Sequence, residues 1–152
     1  KDRKTRDDIL SVFRAIEEKL GGVDILINNA GTTRLGKLNG TTDDFKTVLD
    51  LNVLGVTIAT REALKTMRNR GDNGHIININ RKTHEKIIYS LSPGAVDTEL
   101  LRKFTGEFPE GSVPAFPQIQ TQDIADGIVY ILSTRPNVQV RILNNLKYIN
   151  II

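Results

Sequence analysis

The 152-residue chain contains no cysteine, which excludes a disulfide framework, a thiolate metal site and a cysteine nucleophile. Its two histidines, His75 and His84, are isolated, so no metal is expected. Aromatic residues make up only 5% of the chain, and no run of Arg and Lys interleaves with them. The net charge of +3 is spread over helix faces, as at Arg61, Lys65, Arg68 and Arg70 with Glu62 and Asp72 nearby, which describes a solvated surface better than a nucleic-acid footprint. No apolar run is long enough to span a bilayer, and the opening Lys1-Asp2-Arg3-Lys4-Thr5-Arg6-Asp7-Asp8 has no apolar signal core. Neither a nucleic acid nor a membrane is therefore expected as a partner, and the missing cysteines fit a reducing, cytoplasmic location. There is also no Gly-x-Gly-x-x-Gly pattern, the turn that cradles a dinucleotide's phosphates.

What is present begins with Val23-Asp24-Ile25-Leu26-Ile27-Asn28-Asn29-Ala30-Gly31. An apolar run of this length, bounded by Gly21-Gly22 and Gly31, predicts a strand buried on both faces, as in parallel sheets. In open α/β sheets ligands bind beyond the carboxyl ends of the strands, where a small residue and a glycine allow close approach to the backbone. Asn28-Asn29-Ala30-Gly31 stands at such an end, although Asn and Gly also favour an ordinary turn.

Helical and strand patterns alternate along the chain. Thr5 can cap a helix with Asp8 in its first turn, with Ile9, Phe13, Ile16 and Leu20 at helical spacing until Gly21-Gly22. Thr41 caps a second, long helix whose buried face would include Phe45, Val48, Leu49, Val56, Leu64 and Met67. After Gly74, His75 to Asn80 reads as a second buried strand, and Lys86 to Leu91 as a third that runs into Ser92-Pro93-Gly94. A last helix starts near Thr121 and turns Ile124, Ile128, Ile131 and Leu132 inward. This order predicts a parallel sheet flanked by helices, in a single domain over residues 1–152.

Four segments together resemble the short-chain dehydrogenase/reductase family. They are Asn28-Asn29-Ala30-Gly31, Leu51-Asn52-Val53-Leu54-Gly55, Gly74-His75-Ile76-Ile77-Asn78-Ile79, and Ser92-Pro93-Gly94 with Thr98. Asp24 to Gly31 together with Ser92 to Leu100 is most similar to the insect farnesol dehydrogenase-like members. The resemblance implies a Rossmann-like α/β fold, here partial, without the first strands and one crossover helix. It implies an NADP(H)-dependent oxidoreductase, with NAD possible, acting on small apolar alcohols or carbonyls as a homo-oligomer. It places Asp2 at the adenine amino group, with a solvated terminal charge as the alternative. Asn29 and Gly31 fall beside the adenosine ribose, and Pro93, Gly94, Val96 and Thr98 on the nicotinamide ring and its amide. Asn52 is the family's catalytic Asn, whose backbone carbonyl holds a water of a proton relay; an ordinary helical Asn is the alternative.

The departures from the family pattern are as informative. A phenol with its ordinary pKa near 10 is a poor catalyst at neutral pH unless a cation lowers it, and the family supplies a Lys four residues after its Tyr. Here Tyr89, Tyr130 and Tyr148 are followed at that spacing by Pro93, Thr134 and Ile152. Arg81 stands where the catalytic Ser is expected after Asn80. Parallel neighbours need a crossover of a dozen or more residues, whereas Arg81 to Glu85 extend at most ~18 Å, about one strand length. Either residues are missing at this junction, or the polypeptide is a defective family member, a non-catalytic remnant acting as a structural or oligomerisation module. The stretch 141–152, almost wholly Ile, Asn, Leu, Lys and Tyr, reads as a non-native tail, with an ordinary last strand from Val138 to Leu143 as the alternative. Phe104, Phe108 and Phe116, between Glu99 and Gln120, indicate an apolar pocket or simply core.

Overall fold

The computed structural model describes residues 2–33, 41–71, 74–79, 88–106, 117–135 and 142–145, with the backbone alone for 2–5, 88–90, 92, 104 and 142–145. Two compact units divide the chain, Lys1–Ile76 and Ile77–Ile152.

In the first unit, helix α1 (Asp2–Leu20) leads to strand β1 (Ile25–Asn28). The helix begins upstream of Thr5, because Arg3 and Lys4 are good helix formers and keep the chain helical there. It stops where expected: Gly21 at φ 77° and Gly22 at φ 130° adopt left-handed backbone that other residues avoid. Helix α2 (Thr42–Leu49) opens with a full capping box. Thr41 Oγ1 accepts from the Asp44 N–H at 3.2 Å and Asp44 Oδ2 accepts from the Thr41 N–H at 3.3 Å. The helix then widens into a π-helical turn, Asp50–Gly55, and resumes as α3 (Val56–Asn69).

That turn overturns the expectation of one uninterrupted helix with a single inward stripe. Ile58, Ala63, Thr66 and Met67 are buried on α3, while Phe45 and Leu49 are 43% and 57% exposed. A π-turn holds more residues than an α-turn, so a stripe continued across it at 3.6-residue spacing drifts off the core face. Strand β1 corrects a second expectation. Ile25 and Ile27, two residues apart and hence on one face, are exposed, so only the alternate face is covered among the described residues.

Strand β2 (His75–Ile79) contains the division between the units, and its interior is fully buried at Ile76 and Ile77. Its start neighbours β1, where the His75 N–H donates to Asp24 O at 2.9 Å. Gly74 just before it is required by packing. A Cβ there would lie 2.6 Å from Sδ of the buried Met67.

In the second unit, β3 (Ile88–Pro93) pairs in parallel with β4 (Ile142–Asn145), in the register Ser90 to Ile142 through Pro93 to Asn145. Four residues of the 141–152 stretch thus form β4. Helix α4 (Glu99–Gly106) follows β3, and α5 (Thr121–Ser133) packs on β3 and β4. Leu91 and Ile131, both essentially inaccessible, form this core, and Ile124, Ile128 and Leu132 lie half-buried on the same helix. The junction at Asn80 to Lys86, including Arg81, lies outside the described residues, as do Phe108, Phe116 and residues 146–152. Among the described residues no helix is long and apolar enough to cross a membrane.

Candidate functional site

The first unit gathers three of the residues singled out by sequence at one turn. As β1 ends, the Asn28 side-chain amide donates to Thr60 Oγ1 on α3 at 3.1 Å, and the Asn29 N–H donates back to Ile27 O at 3.1 Å. At the far end of the turn, Thr32 is held by Asn52. Its N–H donates to Asn52 Oδ1 at 2.9 Å, and its carbonyl accepts from Asn52 Nδ2 at 2.7 Å. A primary amide presents one donor and one acceptor side by side, so it satisfies both backbone groups of a single residue.

Asn52 lies within the π-turn. The helix therefore widens at this Asn without breaking, and such turns recur at functional sites. Gly31 is suspended between the two ties. Among the described residues, a Cβ built on it meets Asn52 Oδ1 at 3.6 Å and Asn29 O at 3.9 Å, both ordinary contacts. Thr32 and Thr60 have no motif-level signal, since their role depends on where α3 meets the turn.

The second unit holds the other group on the loop from β3 to α4. Pro93 ends β3 and Gly94 is exposed. Val96 forms a parallel bridge with Ile119, flanked by Ile119 N–H to Ala95 O and Asp97 N–H to Ile119 O, both 2.9 Å. Thr98 caps α4: its Oγ1 accepts from the Leu101 N–H at 3.2 Å and donates to Val96 O at 3.3 Å. Asp97 pairs with Arg102 at 2.9 Å, and Glu99 with Lys103 at 2.8 Å. The hydrogen bond and charge of Lys103 hold the Glu99 carboxyl below its ordinary range.

Asp2 is placed as the first residue of α1, with its side chain outside the description. Tyr130 lies exposed on α5. Among the described residues no group of three or more His, Asp or Glu could hold a metal ion.

Residues 1–92 match the family model for short chain dehydrogenase. The chain is 33% identical over 179 aligned positions to Dehydrogenase/reductase SDR family member 11 of Bos taurus, covering 91% of this chain and 70% of that protein. It is 31% identical over 177 positions to farnesol dehydrogenase of Aedes aegypti, covering 91% and 69%. A solved structure of ElxO with NADP bound superposes with a TM-score of 0.69 at 25% identity, covering 91% of this chain and 72% of that one. Since 91% of 152 residues is about 138, about 40 of the 179 positions aligned with the bovine protein have no residue in this chain. With its partial Rossmann-type α/β fold, the chain belongs to the short-chain dehydrogenase/reductase family of oxidoreductases.

Proposed function

We propose that this chain carries the cofactor-binding framework of an NADP(H)-dependent oxidoreductase of small apolar alcohols or carbonyls, and that it transfers no hydride. The observation that carries this reading is the turn held between Thr60 and Asn52, with a glycine at residue 31 that presents no side chain to a bound sugar. Asn29 and Gly31 take the adenosine ribose, and Asp2 the adenine amino group. In the second unit Pro93, Gly94, Val96 and Thr98 take the nicotinamide ring and its amide. That ring is the hydride-carrying group of the cofactor, and these residues orient it. Asn52 keeps the family's relay position. ElxO with NADP bound favours the phosphorylated cofactor over NAD, and the mosquito relative favours an apolar alcohol.

The reading of inactivity rests on the missing Tyr and Lys pair, since Tyr89, Tyr130 and Tyr148 have no Lys four residues on. We place the unfilled aligned positions at the junction between Asn80 and Lys86, inside an otherwise single Rossmann-type domain. Titration of the purified chain with NADPH, followed by ligand fluorescence, tests the framework. Saturable binding at micromolar to millimolar cofactor is expected, and none at millimolar excludes it.

A second reading, a non-catalytic remnant serving as an oligomerisation module, is favoured by one observation. Phe45, Leu49 and Val53 expose a run of apolar side chains along α2 and the π-turn. Sedimentation velocity of the wild type and of Leu49→Glu tests it: the wild type is expected as a homo-oligomer and the variant as a monomer. The 141–152 stretch as a non-native tail is tested by comparing its codons with the exons of a close homologue. Cytoplasmic residence, without a membrane or nucleic-acid partner, is tested by fractionation of cells that express the chain.

A further inference from the structure

We infer that Thr60 is a positioning residue for the turn Asn28 to Thr32, and that the π-turn brings it to bear on that turn together with Asn52. Its consequence for cofactor rests on the proposed function; the placement itself rests on hydrogen bonds within one unit. Two residues eight apart on an unbroken α-helix point roughly 80° apart at about 100° per residue, too far around for both to face one short turn. The π-turn Asp50–Gly55 takes additional residues into the helical path after Asn52, which reduces this offset and turns both side chains toward the same segment. The result is visible at both ends of the turn. Thr60 Oγ1 accepts from Asn28 Nδ2 at 3.1 Å where the strand finishes, and Asn52 holds Thr32 by two bonds of 2.9 and 2.7 Å.

The same helix supplies an internal control. Thr66 Oγ1 accepts from the Val23 N–H at 3.4 Å, before β1 begins, and donates to Ala63 O at 3.0 Å. Thr60 and Thr66 therefore tie opposite ends of β1 to one helix, and only Thr60 reaches the end that carries the turn. A hydroxyl is required at residue 60, because a β-branched apolar side chain of equal shape fills the space without accepting the amide proton.

Three variants decide the matter: Thr60→Val, Thr60→Ser and Thr66→Val. Amide hydrogen exchange of Asn29, Ala30 and Gly31 reads positioning without cofactor. Thr60→Val is expected to speed exchange at these amides about fivefold, the loss of one neutral hydrogen bond, and Thr60→Ser to restore it. Thr66→Val is expected to lower the melting temperature without this local acceleration. In NADPH titrations, Thr60→Val is expected to weaken binding by a similar factor, and Thr66→Val to leave it within twofold. Unchanged exchange in Thr60→Val, or equal acceleration in Thr66→Val, overturns the assignment. So does unchanged NADPH affinity in Thr60→Val when the wild type binds. A wild type that fails to bind NADPH instead removes the proposed function, and the exchange data still decide the role of Thr60.

Discussion

The turn after β1 and the loop after β3 are held by different chemistry. In the first unit the turn hangs from side chains, with the Asn52 amide on Thr32 and the Thr60 hydroxyl on Asn28. In the second unit the loop is held by backbone, through the Val96 and Ile119 bridge and its two 2.9 Å bonds, above a core of Leu91 and Ile131. A side-chain tie disappears with one substitution, whereas a backbone tie persists through every substitution except proline. The turn is thus open to change by sequence, whereas the Val96 and Ile119 bridge is not, and only the loop's added ties from Thr98 and the Asp97–Arg102 pair depend on side chains.

The largest effect tests the apolar side of this contrast. Ile131→Ala, at a fully buried position, is expected to destabilise the fold by about 2–5 kcal/mol in chemical denaturation while leaving exchange at the β1 turn unaltered. Next, Ile119→Pro removes the N–H that Ala95 O accepts, at an expected cost of about 1–3 kcal/mol. Ile119→Ala keeps that bond and should free the amide of Asp97 for exchange far less; equal effects of the two variants would break the contrast. Asn52→Ala strips both bonds from Thr32 but gains helix propensity, so a net loss of about 1 kcal/mol is expected, with faster exchange at Thr32.

A smaller effect is pH-dependent. Partial burial pushes the Glu62 carboxyl up, but hydrogen bonds and charge from Lys65 and Arg61 outweigh it and hold the group below its ordinary value. A depressed carboxyl contributes stability above its unfolded pKa and loses it as pH falls through the folded value. Glu62→Gln should therefore cost at most about 1 kcal/mol at neutral pH and flatten the acid limb of the stability curve. Smallest for the fold is Gly31→Ala, whose added methyl meets ordinary contacts among the described residues. Its melting temperature should match the wild type while NADPH binding is lost; retained binding would remove the sugar from this turn.

The capping box at Thr41, the stop at Gly21-Gly22, the doubly buried β2 and the inward face of α5 were legible in the sequence, because each depends on local chemistry and periodicity. Illegible were the exposure of Ile25 and Ile27 and the outward turn of Phe45 and Leu49. Apolar letters report the tendency to be buried, and what covers them is supplied by other segments. Met67 against Gly74 is of the same kind, a contact between residues with no shared pattern.

For the candidate site, the sequence marked Asn28 to Gly31 as the end of an apolar strand, and its resemblance to the family marked Asn52, Pro93, Gly94, Val96 and Thr98. The lack of a Lys four residues after any Tyr was equally fixed there. Only the tertiary structure decided that the helix widens around Asn52, and that Thr60 and Thr32 join it around one turn. Hydrogen bonds across 20 to 32 residues of chain depend on helix phase and on where a helix meets a strand, and neither quantity is written in any local stretch of sequence.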